Sequence, residues 1–543
     1  MWDLWYKNAV IYCVDVETFM DSNGDGIGDF QGLTHRLDHI EALGATCVWL
    51  LPFYPSPNRD NGYDITDHYG VDPRYGTLGD FVEFMHAAEE RGLRVVVDLV
   101  VNHTSVDHPW FQEARRDPSS PRRDWYVWSR EKPENLHEGM VFPGVQEATW
   151  TWDEAAGAWY MHRFFRHQAD LNITTPAVRE EIERIMGFWL RLGVSGFRVD
   201  AVPFLVEYRG VEPPDGRPDP HRYLTELRDF LDWRKASAVL LGEANIPMDS
   251  LDEYVGDGDR LHMIFNFLLN QHSFLALARG EMEPIARVMR ATPPMPALAQ
   301  WASFLRNHDE LDLGRLTDEE RREVFAAFAP EEGMRLFGRG IRRRLAPMLG
   351  GNTRRLAMAQ SLMFALPGTP VIWYGEEIGM GDAPSLPGRD PVRTPMQWSD
   401  EPNAGFSTAP SERLVRPVVA DGPFGFARVN MAGQRNRHDS FLGQVQRLIS
   451  TRRSCPEIGW GTCEVLDTGT RSVLALRSDW RGNAVLTLHN LAGQEVQVRL
   501  PREMGRLAPM LGDAEHLEAT GSTDPIPLGP YGFRWYRIRG ERR

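Results

Sequence analysis

Short apolar runs alternate with longer amphipathic runs along most of the chain. The apolar runs are typical of buried strands in a parallel sheet, and the amphipathic runs have the spacing of helices. This alternation predicts an α/β fold, namely a (β/α)8 TIM barrel. The predicted strands are residues 10–16, 47–51, 93–101, 196–200, 238–241, 301–305 and 370–374. The predicted helices are residues 34–43, 78–91, 178–192, 354–365 and 440–453.

Three segments interrupt the alternation. Residues 104–170 are rich in Trp, Pro, Arg and acidic residues, which predicts an inserted domain in a strand-to-helix loop. Residues 312–348 are charged and helix-rich, and they predict a second insertion. Strand-like runs at 472–477, 483–489 and 495–500 predict a C-terminal antiparallel β-sandwich. The predicted domains are a barrel at 1–103 and 171–459, an inserted domain at 104–170 and a β domain at 460–543.

Charge and hydropathy narrow the classes of partner. The formal net charge is −16, which disfavours nucleic acid because binding to nucleic acid needs a dense basic face. No apolar run approaches the roughly 18 residues of a membrane span. The N-terminal residues also lack the basic and apolar regions of a secretion signal. We therefore expect no membrane contact and a cytoplasmic location, while an oligomer stays possible.

The cysteine pattern favours free thiols. The four cysteines form no C-x-x-C pair, and two of them lie inside apolar strand-like runs. Buried free cysteines behave as small hydrophobic residues, so disulfides and metal ligation are the less favoured alternatives. The four are Cys13, Cys47, Cys455 and Cys463.

Carboxylates follow three of the predicted strands. Asp200, Glu243 and Asp309 each come directly after, or shortly after, an apolar run. Because the C-terminal ends of barrel strands meet at one face, we expect the three side chains to lie together. A nucleophile and a general acid are the pair that a retaining glycosidase needs. Arg198 near Asp200 would keep that carboxylate ionised, as a nucleophile requires. Taken singly, each carboxylate could instead be a solvated loop acid, and Arg198 with Asp200 could be a structural ion pair.

Four segments resemble the signature regions of glycoside hydrolase family 13, the α-amylase family. They are VVNH at 100–103, RVD at 198–200, GEAN at 242–245 and RNHD at 306–309. The resemblance implies that Asp200 is the nucleophile, Glu243 the general acid/base and Asp309 the transition-state stabiliser. It also implies that His103, Arg198 and His308 complete the sugar site.

Two further segments resemble the members of this family that act on chain ends. In relatives with DNGYD (here 60–64) and DPVRTPMQW (here 390–398), an Asp and an Arg grip a terminal glucose. Here these would be Asp64 and Arg393, with an inter-loop salt bridge as the alternative role.

Within the family, the chain is most similar to members that isomerise maltose to trehalose. The runs at 49–57, 304–311, 340–347 and 375–381 carry this similarity. Glu17, Ile246 and Pro247 depart from that pattern, and the last two border the expected acceptor sugar. The resemblance implies a retaining α-glucosyl enzyme that acts on maltose-type α-1,4 disaccharides. A hydrolytic α-glucosidase, or a transglucosidase with another acceptor, is the alternative.

One loop has the spacing of a cation site. Side-chain oxygens at the first, third, fifth and ninth positions and Gly at the sixth match the first part of an EF-hand loop. The donors would be Asp21, Asn23, Asp25, Asp29 and the carbonyl of Ile27. Such oxygens suit structural Ca²⁺, with Mg²⁺ possible, and an Asx-rich turn without metal is the alternative.

A second Ca²⁺ site and the absence of an organic cofactor are implied by the family resemblance alone. The residues that match the family's second site are Asn102, Asp170 and Glu207, with the carbonyls of Phe204 and Leu205. Such a site would tie the inserted domain to the barrel, and neither metal would take part in catalysis.

Overall fold

Eight parallel strands form a closed barrel, which confirms the predicted fold class. The computed structural model describes residues 3–207, 219–500, 504–512, 520–521 and 524–539. Each barrel strand pairs with the next along the chain, and the eighth pairs with the first. Ile11 faces both Cys47 and Val371 in the register that closes the barrel. In chain order the strands are Ile11–Val14, Cys47–Leu50, Arg94–Leu99, Gly196–Val199, Val239–Gly242, Met263–Phe265, Gln300–Phe304 and Thr369–Trp373.

Helices connect the barrel strands, and none within the described ranges is long and apolar enough to cross a membrane. The helix Leu78–Glu90 begins at a capping box formed by Thr77 and Asp80. The predicted helix at 34–43 is instead two helices that are interrupted at Arg36. The main barrel helices are Phe30–His35, Leu37–Leu43, Leu78–Glu90, Pro176–Arg191, Arg222–Arg234, Leu251–Val255, Phe267–Arg279, Glu283–Ala291, Thr353–Ala365 and Phe441–Arg453.

Two strands differ from their predicted form. The first strand ends at Val14 because the side chain of Asp15 accepts a hydrogen bond from the Glu17 backbone and starts a short helix, Val16–Phe19. The sixth strand, Met263–Phe265, was not predicted. Its three residues are too few to show a periodicity that separates a strand from a buried helix end.

The region that interrupts the alternation after the third strand folds as a small β unit. Antiparallel pairing of His103–Ser105 with Gln168–Asp170 brings its two ends together. Between them lie the helix Pro109–Arg116 and a three-stranded sheet. The strands of that sheet are Trp128–Ser129, Trp150–Asp153 and Ala158–Met161.

The second insertion contains a helix and a small sheet. The helix Asp318–Phe328 is followed by the hairpin of Arg335–Leu336 and Gly340–Ile341. Leu311–Asp312 pairs with the second hairpin strand, so three short strands lie next to the end of the seventh barrel strand.

The C-terminal region contains an antiparallel sheet and a shorter strand pair. The short pair, Val496–Val498 with Ile526–Leu528, shares a buried core with the large sheet. Trp535 Nε1 donates to Ser361 Oγ over 2.8 Å, which joins the sheet to the barrel helix Thr353–Ala365. The large sheet contains Thr462–Leu466, Val473–Trp480, Asn483–Asn490, Phe533–Arg539, Arg506–Gly512 and Thr520–Gly521.

Candidate active site

The ends of three barrel strands bring Asp200, Glu243 and Asp309 to one cavity of about 610 Å³. Asp200 follows the fourth strand, and Glu243 follows the fifth. Ala201 has a φ of +51°, in the left-handed region, and its N–H donates to Glu243 Oε2 over 3.2 Å. The turn after the fourth strand therefore places both carboxylates at the cavity wall, as the sequence pattern predicted.

The buried Arg198 contacts three carboxyl groups, those of Asp98, Asp200 and Glu243. Arg198 Nη1 is 2.6 Å from Asp200 Oδ1 and 3.0 Å from Asp98 Oδ1, and Nη2 is 2.8 Å from Glu243 Oε2. The strand register places Asp98 beside Arg198. A guanidinium that is 1% exposed has lost nearly all its hydration, so carboxylates on both of its edges are needed to offset that cost.

Burial raises the pKa of both Asp200 and Glu243. Burial raises the pKa of Asp200 to about 6, with Arg198 opposing the shift. Burial raises the pKa of Glu243 to about 7, Arg198 again opposing, and the negative charges of Asp200 and Asp309 add to the rise. Near neutral pH Asp200 is mostly ionised, as expected. Arg198 favours the ionised form, but its effect on the pKa of Asp200 is smaller than that of burial.

The third carboxylate has the opposite environment. Asp309 Oδ1 lies 3.0 Å from Arg389 Nη1 and 2.9 Å from Arg393 Nη2. Burial alone would raise the pKa of Asp309, but the two arginines hold it well below its usual range. Burial also depresses the pKa of His308, whose Nε2 is 3.3 Å from Asp309 Oδ2, so this histidine is neutral.

Tyr63 joins two parts of the site. Its hydroxyl donates to Asp98 Oδ2 over 3.1 Å and lies 2.9 Å from His308 Nε2. These contacts are all satisfied when His308 carries its proton on Nε2. His103 Nε2 is 3.0 Å from the Tyr63 carbonyl oxygen, which places that ring at the cavity wall.

The two residues predicted to grip a terminal glucose lie behind the cavity wall, each with its own partners. Asp64 is fully buried and accepts hydrogen bonds from Ser56 Oγ and from the backbone of Asp60. Arg393 binds Asp309 and donates from Nε to the His308 carbonyl over 2.7 Å. Asp64 and Arg393 are therefore not paired with each other in this structure.

Four residues that contribute to the site were not selected from the sequence. Asp60 and Arg389 line the cavity, and burial raises the pKa of Asp60 to about 6. Asp98 and Tyr63 support Arg198 and His308. Asp98 interrupts an otherwise apolar strand, and this pattern could have identified it as a buried polar residue near the site. Asp60 and Tyr63 lie in the DNGYD segment, but only their tertiary contacts show what they do.

The residues that depart from the family pattern divide into two groups. Glu17 is buried, and its carboxylate accepts from Arg416, Asn58 and Tyr75, so it joins loops rather than facing the cavity. Ile246 lines the outer part of the cavity, next to Pro247.

In the loop with cation-site spacing, several side-chain oxygens accept hydrogen bonds from groups of the loop itself. Asp21 Oδ1 accepts from the Asn23 and Gly24 backbones, and Asp29 accepts from Ser22 and caps the helix Phe30–His35. Within the described ranges, no cluster of three or more His, Cys, Asp or Glu that could hold a metal is found.

The turn and donors of this loop still suit a hard cation. Gly26 has a φ of +99°, as the sharp turn at the sixth position requires. Asn23 and Asp25 each use one oxygen to accept a loop N–H, so further lone pairs stay available on the carboxylate of Asp25.

The second predicted metal set fits a cation poorly. Arg163 forms an ion pair with Glu207, and its backbone N–H donates to Asp170 over 3.0 Å. Asn102 Nδ2 donates to the same carboxylate over 3.3 Å. A guanidinium beside Glu207 already supplies positive charge, and a divalent ion at that position would be repelled by it.

A parallel barrel whose strand ends carry three carboxylates into one cavity, two of them bound by a buried arginine, is an arrangement suited to glycosidic-bond chemistry. Residues 13–329 and 341–461 match the family model described as "Alpha amylase, catalytic domain". Residues 482–537 match the model of the sucrose hydrolase-like C-terminal domain. The chain belongs to the α-amylase family, glycoside hydrolase family 13.

Similar proteins include enzymes named for trehalose synthesis. The chain is 42% identical over 540 residues to trehalose synthase of Thermus thermophilus, covering 99% of this chain and 56% of that enzyme. It is also 42% identical to the trehalose synthase/amylase TreS of Mycobacterium tuberculosis (strain CDC 1551 / Oshkosh), covering 98% and 90%. The structure of trehalulose synthase MutB from Pseudomonas mesoacidophila superposes with a TM-score of 0.79 at 27% identity, covering 98% and 99%. The chain thus spans little more than half of the Thermus enzyme.

Replacing Tyr63 by Phe is expected to lower the free energy of unfolding by about 1–3 kcal/mol, because Asp98 and His308 would each lose a buried partner. Urea denaturation measures the change. Tyr69→Phe is the matched control, since its half-buried hydroxyl bonds Glu181 where water can replace it. Equal losses in the two variants would contradict a buried polar network at Tyr63.

Proposed function

We propose that the protein isomerises maltose to trehalose through a covalent glucosyl–Asp200 intermediate. The observation that carries the proposal is the convergence of Asp200, Glu243 and Asp309 on one cavity, with Arg198 bound to the first two. The 42% identity to the two enzymes named for trehalose synthesis supports the choice of reaction over hydrolysis.

The first step breaks the α-1,4 bond of maltose. The Asp200 carboxylate forms a bond to C1 of the non-reducing glucose, while Glu243 gives its proton to the departing oxygen. The raised pKa of Glu243 keeps a protonated fraction near neutral pH, and the ionised Asp309 stabilises the positive charge that develops at the sugar ring.

The second step uses the released glucose as the acceptor. Its anomeric hydroxyl attacks C1, Glu243 takes the hydroxyl proton, and the bond to Asp200 breaks. Two inversions at C1 give net retention, and no water is consumed. The acceptor would lie in the outer part of the cavity, which is lined by Asn245, Ile246, Tyr254 and Arg315.

The sugar-binding roles follow from position. We propose that His103, His308 and Arg198 act at the reacting glucose, directly or by orienting the carboxylates. Asp64 and Arg393 would act at the far end of that sugar, and binding would require Arg393 to share its charge between Asp309 and the ligand. Asp60, held by Gln168 Nε2 over 2.8 Å, faces the cavity beside them and adds a hydroxyl acceptor.

The proposal also includes a cytoplasmic location and a bound Ca²⁺ ion. The location is supported by the four free cysteines, because thiols usually stay free in a reducing compartment. Asp21, Asn23, Asp25, Asp29 and the Ile27 carbonyl would hold the ion, whose contribution would be structural.

The rate constant kcat/KM is expected to follow a bell-shaped pH profile with limbs near 6 and 7. Activity should rise as Asp200 loses its proton, at a pKa of about 6, and fall as Glu243 loses its proton, at a pKa of about 7. Asp98→Asn is the control, because burial raises the pKa of Asp98 itself to about 7 and this residue is another group that could titrate in the same range. Both limbs should remain in Asp98→Asn. Loss of either limb would assign it to Asp98 rather than to Asp200 or Glu243.

Maltose supplied with isotopically labelled free glucose is expected to give trehalose that carries little label. Transfer within a closed cavity retains the original glucose, whereas release and recapture would dilute it with label. Chromatography with mass detection measures both products. Heavily labelled trehalose would indicate an ordinary transglucosidase. Glucose as the sole product at every time point would reject isomerisation and leave a hydrolytic α-glucosidase.

Chelation is expected to lower the Tm while activity at low temperature largely survives. A cation that binds only the folded protein stabilises it by about 2.7 kcal/mol when its concentration is a hundred times its Kd. Asp25→Asn should weaken the response, and Asp38→Asn, on an exposed helix face, should not. An unchanged Tm after verified metal removal would show that the loop is an ordinary turn.

A further inference from the structure

A buried ion pair between Glu17 and Arg416 links three segments behind the active-site cavity. The two residues are 2% and 7% exposed, and Arg416 Nη1 lies 2.6 Å from Glu17 Oε2. Arg416 also donates to Asn61 Oδ1, and its Nε is 3.2 Å from Asp390 Oδ1. One guanidinium therefore joins the short helix after the first barrel strand to the DNGYD segment and to the DPVRTPMQW segment.

The other oxygen of Glu17 holds the DNGYD segment at a second point. Glu17 Oε1 accepts from Asn58 Nδ2 over 2.8 Å. Asn58 has a φ of +59°, Asn61 a φ of +48° and Gly62 a φ of +89°. Left-handed backbone is uncommon outside glycine and persists where the surrounding contacts fix it. The two asparagines in this conformation are the two whose amides the ion pair binds.

The DNGYD segment carries acids of the sugar site. Asp60, next to Asn61, lines the cavity. Asp64 Oδ1 accepts from the Asp60 N–H over 3.1 Å, and Asp64 Oδ2 accepts from the Arg59 N–H over 3.2 Å. The loop is therefore folded around the carboxylate of Asp64 on one side and held by the ion pair on the other, so a shift of the loop would displace both acids.

The DPVRTPMQW segment carries the arginines that face these acids. Arg389, which lines the cavity, comes directly before Asp390. The Arg393 N–H donates to the Asp390 carbonyl over 2.9 Å, within the turn that begins at Asp390. The carboxylate that Arg416 contacts thus belongs to the residue that positions the backbone of Arg393.

Stability alone does not account for a buried pair of this kind. The cost of removing both charges from water offsets most of their attraction, whereas the direction and number of the contacts fix one arrangement of the attached segments. Glu17 also departs from the pattern of the family members that isomerise maltose, so the pair is a feature of this chain rather than of that pattern.

We propose that Glu17 and Arg416 form a clamp that sets the position of Asp64 relative to Arg393, and so determines which hydroxyl configuration is accepted at the outer end of the terminal sugar. The inference rests on the proposed function only in placing a glucose between these groups. It does not depend on whether sugar or water accepts that glucose. Glu17 and Arg416 are positioning residues, since they contact the two segments behind the cavity lining.

The test compares p-nitrophenyl α-glucoside with p-nitrophenyl α-galactoside, which differ only in the configuration at C4. Glu17→Gln removes the charge that faces Arg416 and keeps the shape of the side chain. Asn61→Gly keeps the left-handed backbone and removes only the amide that Arg416 binds. Glu457→Gln is the matched control, because Glu457 is also 2% exposed and pairs with Arg537 at the junction of the barrel and the C-terminal sheet.

For Glu17→Gln and Asn61→Gly, we expect the KM for the glucoside to rise about tenfold while kcat stays within about threefold of wild type. The preference for glucoside over galactoside in kcat/KM should fall about tenfold. p-Nitrophenol leaves with little help from an acid, so its release reports on the bound sugar rather than on Glu243. Glu457→Gln should lower the Tm and keep the wild-type KM and preference.

The outcomes that overturn the clamp differ in what they leave standing. If the wild type prefers the glucoside but Asn61→Gly keeps both its KM and its preference, the clamp is wrong and the isomerase proposal stands, even where Glu17→Gln fails to fold. If the wild type cleaves neither substrate, or both equally, the proposed glucose site fails together with the clamp. A weaker preference in Glu457→Gln as well would assign the effect to general destabilisation and would also overturn the clamp.

Discussion

The candidate active site depends on the contacts of Arg198. The guanidinium is removed from water inside the barrel, where the carboxyl groups of Asp98, Asp200 and Glu243 contact it and Asp200, mostly ionised near neutral pH, balances its charge. The same burial raises the pKa values of the two carboxylates on which the proposed chemistry depends. The contacts of Arg198 therefore fix the positions of Asp200 and Glu243, and burial sets the pH range in which the two carboxyl groups can differ in protonation.

The fold and the three carboxylates could be predicted from local patterns. Buried strands of a parallel barrel are continuous apolar runs, and the residue that follows such a run, as Asp200 does, must lie at the C-terminal face. The free cysteines followed from similar reasoning and are confirmed. The sixth strand escaped detection because three residues carry no periodicity, and the first strand ended early because Asp15 caps a helix within an apolar run.

Contacts between distant segments could not be predicted. Asp60 and Arg389 are 329 residues apart in sequence, yet both line the cavity, because two long loops fold over the same barrel mouth. Arg393 binds Asp309 rather than forming the alternative salt bridge with Asp64, and this contact too joins segments far apart in sequence. The contact of Glu17 with Arg416 joins residues 399 apart in sequence, and no local pattern pairs them. Such features depend on loop conformation, which the sequence pattern constrains weakly.

The hydroxyl of Ser361 shows how the C-terminal sheet and the barrel depend on each other. It lies on a buried barrel helix, and both of its partners, Trp535 Nε1 and His489 Nε2, belong to the sheet. A barrel without that sheet would have to hydrate this hydroxyl and the apolar surface around it. The partners are 174 and 128 residues away in sequence, so the helix gains them only through contacts of high sequence separation. Damage confined to the distant sheet would therefore also destabilise the barrel, without any change in a residue that lines the cavity.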